Sequence, residues 1–450
     1  MRRSGHEKAQ CQLREFVVLL FVSLLIVMPN AHWAVPLFGL LAVVPCATLL
    51  TLLPDHQRHP RRLPAPLDVN DVLCILVLLA YGALWCLDIF LINRNQSLRM
   101  FFSPLIPLPV WPMLAAVFLV WLLRYPPSPR AFWVAVCAGA AGAGSIALYE
   151  RLVLGKLRAS NSLNAIPFGN LSLLLGALSL LALLWCLRRG RARSPAMAGI
   201  ALLAGLLGLL GSLLSGTRGG WIALLFLLVI WFRASQGLFP ARWRHCLAGL
   251  VALTIVGTAL LPASNVAPRL QVAVGEAQDY LAGDPRGSVG LRLEMWRAGL
   301  LLWREKPITG WGEGGAMSRR ISELIADGRL TPDIRRFSQL HSDIIDTAAR
   351  RGVLGLAALL MLYGVPLWHF WKRSRMPHCP EVRLMAGAGM MVGVAYIDFG
   401  LSQSMLRDPV GLSGYLGLCT ACWVAMRTHE ASQGQPFVRR YDRGLSGESS

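Results

Sequence analysis

The chain alternates between apolar runs of about twenty residues and short polar connections, the pattern of repeated membrane crossings. About twelve such runs can be drawn, at 15–33, 35–53, 70–92, 104–123, 131–149, 167–187, 195–214, 219–233, 246–262, 353–371, 384–402 and 409–426. Hydrocarbon offers no hydrogen-bond partners, so each run must satisfy its backbone within itself. The expected fold class is therefore all-α, a polytopic membrane protein with one long, mostly helical loop. Pro29, Asn30 and His32 break the first run and the eighth is short, so any miscount falls at segments 1–2 or 7–8. The expected divisions are 1–261 (helices one to nine), 262–352 (the loop), 353–426 (helices ten to twelve) and 427–450 (a polar, disordered tail).

Composition agrees: 55% of residues are hydrophobic, 15% are charged and the mean hydropathy is +0.51, unlike any soluble surface. The net charge of +20 reads as a topology signal, because Lys and Arg concentrate in alternate connections. Arg58, Arg61 and Arg62, then Arg188, Arg189, Arg191 and Arg193, then Lys372, Arg373 and Arg375 fall on one side, together with both termini. The opposite short connections hold few, among them Arg218 and Arg407. Both termini are thus expected in the cytoplasm and the 262–352 loop on the outer, periplasmic face of the membrane. No basic stripe is interleaved with aromatics, so nucleic acid is not an expected partner. The ten Cys lie mostly in apolar runs and none lies in the loop, which excludes a disulfide framework there. Cys419 and Cys422 read as buried small apolar residues. The basic start followed by an apolar core lacks a convincing cleavage site and reads as an uncleaved first helix.

About ninety residues is too long for an idle connection. From Ser288 to Arg304, apolar Leu291, Met295, Leu300 and Trp303 alternate with Arg292, Glu294, Arg297 and Arg304, as in a helix lying on a surface. Lys306–Gly315 is rich in breakers, a second helical piece covers about 317–326, and a third begins near His341.

His and Arg in the cytoplasmic connections are explained by topology, which leaves few candidates for chemistry. Of nine His, only His32 and His341 fall on the outer face. His341, at a helix start near the membrane, suits a general base, against the alternative of a capping contact. Arg218 lies in Ser215-Gly216-Thr217-Arg218-Gly219-Gly220, where backbone N–H groups and a planar guanidinium can converge on a phosphate; a snorkelling Arg is the alternative. Arg292, one turn before Trp296, is a second candidate for that anion. Asp398 is the intramembrane acid to be explained. The sequence holds no P-loop, HExxH or DxD, so neither metal nor cofactor is expected, and the donor should carry its own leaving group. A lipid-linked diphosphate reached from the membrane plane fits.

Five blocks, taken together, carry a resemblance. Ser215–Trp221, Arg292–Ala298, Lys306–Gly312, Leu340–Asp343 and Arg351–Gly355 look, in order and spacing, like those of the O-antigen ligase and polymerase superfamily. They cover about a third of the chain, and the remainder resembles the family only in hydropathy and helix number. The resemblance implies a metal-independent, inverting glycosyltransferase on the periplasmic face of a bacterial inner membrane. Its donor would be an undecaprenyl-diphosphate-linked glycan and its acceptor, for a ligase, a sugar hydroxyl of the lipid A core. It also implies that His341 is the essential histidine and that Arg218 and Arg292 are the essential arginines, with Asp398 and Trp296 as weaker candidates. An O-antigen polymerase, a protein O-oligosaccharyltransferase or a non-enzymatic flippase are the alternatives. The absence of an extra soluble domain after the last apolar run speaks against the second of these.

Overall fold

A computed structural model describes residues 5–46, 67–89, 102–103, 106–124, 126–188, 195–217, 219–238, 240–260, 266–313, 315–376 and 379–432. Among the described residues the fold is helical apart from a hairpin of two-residue strands, β1 (Phe102–Ser103) and β2 (Ile106–Pro107). The helices are α1 (Gly5–Leu24), α2 (Ala31–Phe38), α3 (Val69–Leu87), α4 (Trp111–Arg124), α5 (Pro129–Leu148), α6 (Ala165–Leu187), α7 (Pro195–Ser215) and α8 (Trp221–Ser235), then α9 (Ala241–Leu260), α10 (Val266–Leu281), α11 (Ser288–Glu305), α12 (Gly315–Ala326), α13 (Asp343–Ser374), α14 (Pro380–Ser402) and α15 (Pro409–Ser432).

Each apolar run contains a helix among the described residues, although a turn breaks the run 15–33 and the run 104–123 opens in the hairpin. Seven of the described helices are long and apolar enough to cross a membrane, and Ala31–Cys46, Leu108–Arg124 and Trp221–Ser235 are shorter apolar helices. The chain is a multi-pass membrane protein. Seven long spans among the described residues stand against the expected twelve: the apolar helices on runs two, four and eight are shorter, and α1 carries Glu7, Lys8, Arg14 and Glu15.

At the centre lies α6, apolar all round and buried along nearly its whole length, as a helix without a solvent face must be. Small residues bring its backbone against α7: a Cβ on Gly208 would sit 2.7 Å from the Cα of Gly176. The last helix continues past the hydropathy boundary at 426 to Ser432. Arg427, assigned by hydropathy to the tail, is held there by Asp68 and Asp71 of the α3 start, partners that a hydropathy profile does not register. Residues 433–450 lie outside the described residues. Cys419 and Cys422 are free and buried, as expected.

The segment between α9 and α13 folds on a small core of its own. Leu291, Met295, Ala298 and Leu302 form one stripe of α11 and meet Met317, Ile321 and Leu324 of α12, with Ile334 of a 3₁₀ turn (Pro332–Arg336) closing the cluster. This cap docks through a defect in α13. Gly352, at φ 57° and ψ −150°, interrupts the helix and frees backbone groups on both sides. The glycine-rich segment 307–312 takes them up: Trp311 and Gly312 N–H groups donate to the Ala349 and Arg350 carbonyls, at 2.9 and 2.8 Å. In return Val353 N–H donates to the Pro307 carbonyl at 2.8 Å. Two glycines make the approach possible. A Cβ on Gly310 would lie 2.2 Å from the Arg350 carbonyl carbon, and one on Gly352 would lie 2.3 Å from the Ile308 oxygen. The breaker segment and the Arg351–Gly355 block are therefore two halves of one joint.

Candidate active site

His341 precedes α13 in the left-handed region, at φ 52°. Capping falls to its neighbour: the Ser342 hydroxyl accepts from Ile345 N–H, and the Asp346 carboxylate accepts from Leu340 N–H at 3.0 Å. The imidazole is thereby left free of the cap. Its Nδ1 lies 2.6 Å from Oε1 of Gln403, just beyond α14, and Phe337 meets the ring edge-on with centroids 5.6 Å apart. A carboxamide oxygen only accepts, so Nδ1 carries the proton and Nε2 presents its lone pair. Burial lowers the pKa of His341 below its ordinary value; the Gln403 bond and the Asp346 charge oppose this, and the Arg292 charge adds to it. The ring is neutral near pH 7, the state that can accept a proton.

Arg292, on the first turns of α11, is half-buried and near enough for its charge to act on His341. Burial lowers its own pKa while Glu276 opposes this, and the guanidinium remains charged. The structure thus brings two of the expected residues together across the joint between cap and bundle. Trp296, one turn further on, is half-buried and its indole N–H has no hydrogen-bond partner among the described residues.

Arg218 lies outside the described residues, but its turn is placed on both sides. Thr217 donates its hydroxyl to the Ala165 carbonyl at 2.9 Å, and a Cβ on Gly219 would lie 2.3 Å from the Ser402 hydroxyl. The turn packs against the end of α14, next to the residue that holds His341.

Asp398 has a local role. Its Oδ2 accepts from the Ala223 N–H at 3.0 Å, which satisfies one of the orphan donors in the first turn of α8 and so fixes where that helix leaves the Arg218 turn. Asp398→Ala is expected to lower stability by about 1 kcal/mol, and Asp398→Asn by less, read as detergent unfolding midpoints.

Two features escaped sequence reasoning. Nothing marked Gln403 in a polar connection. Nor did hydropathy reveal a buried ion network around Glu313, although an acid inside the glycine-rich block was a usable signal. Glu313, 1% exposed, meets Arg350 at 3.0 Å, Arg351 at 3.3 Å and Arg407 at 2.6 Å, and accepts from the Trp85 indole at 3.0 Å. Asp346 bridges Arg350 and Arg407 at 3.0 and 3.2 Å. Burial alone would raise the pKa of Glu313; the charges of Arg407, Arg350 and Arg351 outweigh it and hold the carboxyl far below the usual carboxylate range. Cap, α3, α13 and the 403–408 connection are clamped at this point.

Residues 203–360 match the family model described as O-antigen ligase. The chain carries an O-antigen ligase family domain. That domain spans Arg218, Arg292, the Gly310–Gly352 joint, Glu313 and His341, while Asp398 and Gln403 lie beyond it. An uncharacterized protein of Haemophilus influenzae is 24% identical over 289 residues, 64% of this chain and 71% of that protein. The match over 203–360 and the multi-pass helical fold together support a membrane enzyme of the O-antigen ligase and polymerase type.

Proposed function

We propose that the chain is an O-antigen ligase, transferring a glycan from undecaprenyl diphosphate to a sugar hydroxyl of the lipid A core on the periplasmic face of the inner membrane. The observation that carries the reading is the geometry of His341: its Nδ1 is tied to Gln403, its Nε2 has no hydrogen bond among the described residues, and the charge of Arg292 is near enough to act on the ring. In the proposed step Nε2 takes the proton of the acceptor hydroxyl as its oxygen attacks the anomeric carbon. The new C–O bond forms on the face opposite the diphosphate, whose C–O bond breaks with the electron pair leaving on the diphosphate oxygen. A single displacement inverts the centre. Arg292, with Arg218 from the adjoining turn, pairs with the departing diphosphate, supplying the positive charge that a divalent ion supplies in other transferases. The outer-face orientation of the site rests on the Lys and Arg distribution.

The test is transfer by the purified full-length protein with lipid-linked donor and lipid A core acceptor. Activity is expected to persist in chelator, and Arg292→Ala is expected to lower the rate by about 10²-fold. Glycan on the core supports a ligase, and longer lipid-linked glycan a polymerase. Loss of activity in chelator with recovery on added metal overturns the metal-independent scheme.

A further inference from the structure

Gln403 is fully buried, yet its amide nitrogen has no hydrogen-bond partner among the described residues, and neither does the buried hydroxyl of Ser404 beside it. Among the described residues the one polar contact its side chain makes is Oε1 to His341 Nδ1, at 2.6 Å. A buried amide left half-satisfied costs stability, and a side chain kept at such a cost is a candidate for function. Its place is fixed from outside the ligase-family domain: Gln403 N–H donates to the Phe399 carbonyl at 3.1 Å, ending α14. Met405 N–H donates to the Gln403 carbonyl at 2.9 Å, so the backbone is held on both sides.

We infer that Gln403 is the positioning residue of the proton acceptor, holding His341 in the Nδ1–H tautomer with Nε2 turned to the acceptor hydroxyl. This rests on the reading of His341 as the base. Histidines that act through one nitrogen are commonly oriented by a hydrogen bond on the other. An amide differs from a carboxylate in this place: it orients the ring while favouring the imidazolium much less, and burial, the larger effect, keeps the imidazole neutral and available. The other groups that face the ring are Arg292 from α11 and Asp346 from α13, of opposite sign. Asp343, also on α13, is directed elsewhere, accepting from Leu406 N–H at 3.0 Å and the Tyr363 hydroxyl at 3.3 Å.

The experiment is the pH dependence of kcat for full-length wild type, Gln403→Glu, Gln403→Leu and His341→Ala. Gln403→Glu keeps the shape and replaces the unpartnered NH₂ by an oxygen, and its carboxylate stabilises the imidazolium. The acid limb is therefore expected to move to higher pH, with near wild-type activity regained on the alkaline side. Gln403→Leu is expected to lower kcat about 10–100-fold with little change in KM for the donor. With ¹⁵N-labelled histidine, the resonance absent from His341→Ala should report Nδ1–H in wild type and a tautomer mixture in Gln403→Leu. An unmoved acid limb in Gln403→Glu, or a wild-type tautomer in a folded Gln403→Leu, overturns the inference. Full activity in His341→Ala overturns the underlying reading instead. An inactive His341→Ala beside ordinary Gln403 variants removes the role of Gln403 alone.

Discussion

His341→Ala is expected to lower the rate of glycan transfer by about 10²–10⁴-fold, the usual contribution of a positioned general base. The loss should fall on kcat, because the diphosphate contacts of the donor are assigned to arginines. The fold should survive, since the cap of α13 is built by Ser342 and Asp346 and the histidine ring makes one hydrogen bond. Initial rates alongside detergent unfolding curves check this. The variant should unfold within about 1 kcal/mol of wild type. The sign of the pH dependence is fixed too. Burial, aided by Arg292, lowers the His341 pKa, so the neutral base persists into more acid solution than for a free histidine. Wild-type activity should therefore be retained down to a pH below the ordinary histidine value and fall only beneath it, where the ring protonates. A rate that falls instead between pH 7 and 8 would contradict this environment.

What the sequence made legible follows the range of the interactions involved. Lipid burial acts on every residue of a run, so the seven long spans could be placed from hydropathy; of the expected α11 stripe Leu291 and Met295 face the cap core, whereas Leu300 is exposed and Ala298 and Leu302 complete the stripe instead. His341 and Arg292 stood out because sidedness left few rivals. Contacts between elements distant in the chain were not legible. The Gln403 bond spans 62 residues, and the bonds of Glu313 to Trp85 and Arg407 span 228 and 94. No local pattern encodes such pairings. Asp398 shows the same limit: an acid in an apolar helix suggests chemistry until the N–H it caps, 175 residues away in sequence, is seen. The breaker segment likewise declared its turns but not its partner, because the defect it fills at Gly352 lies in another helix.

Glu313→Ala is expected to destabilise the docked cap by about 3–5 kcal/mol, the cost of leaving buried charge without its partner. Among the described residues Glu313 is the one carboxylate that pairs with Arg350, Arg351 and Arg407 together, and its removal leaves Asp346, which meets only Arg350 and Arg407, and the neighbouring Asp88 against three guanidiniums. The consequence for function is indirect but large. Arg292 stands on the cap, whereas His341 is anchored to the bundle through Gln403, so undocking separates the charge that holds the diphosphate from the base. Hydrogen exchange should show increased exchange at the amides of Trp311, Gly312 and Val353, whose bonds form the joint. The protected centre of α6 should be unaffected. Glu313→Gln keeps the shape and two hydrogen-bonding groups and should lose less. If the cap is held mainly by its apolar and backbone contacts, Glu313→Ala will leave exchange at the joint unchanged. In Glu313→Ala/Arg407→Ala, removal of the surplus cation should restore part of the loss, a non-additivity that marks the pair as coupled.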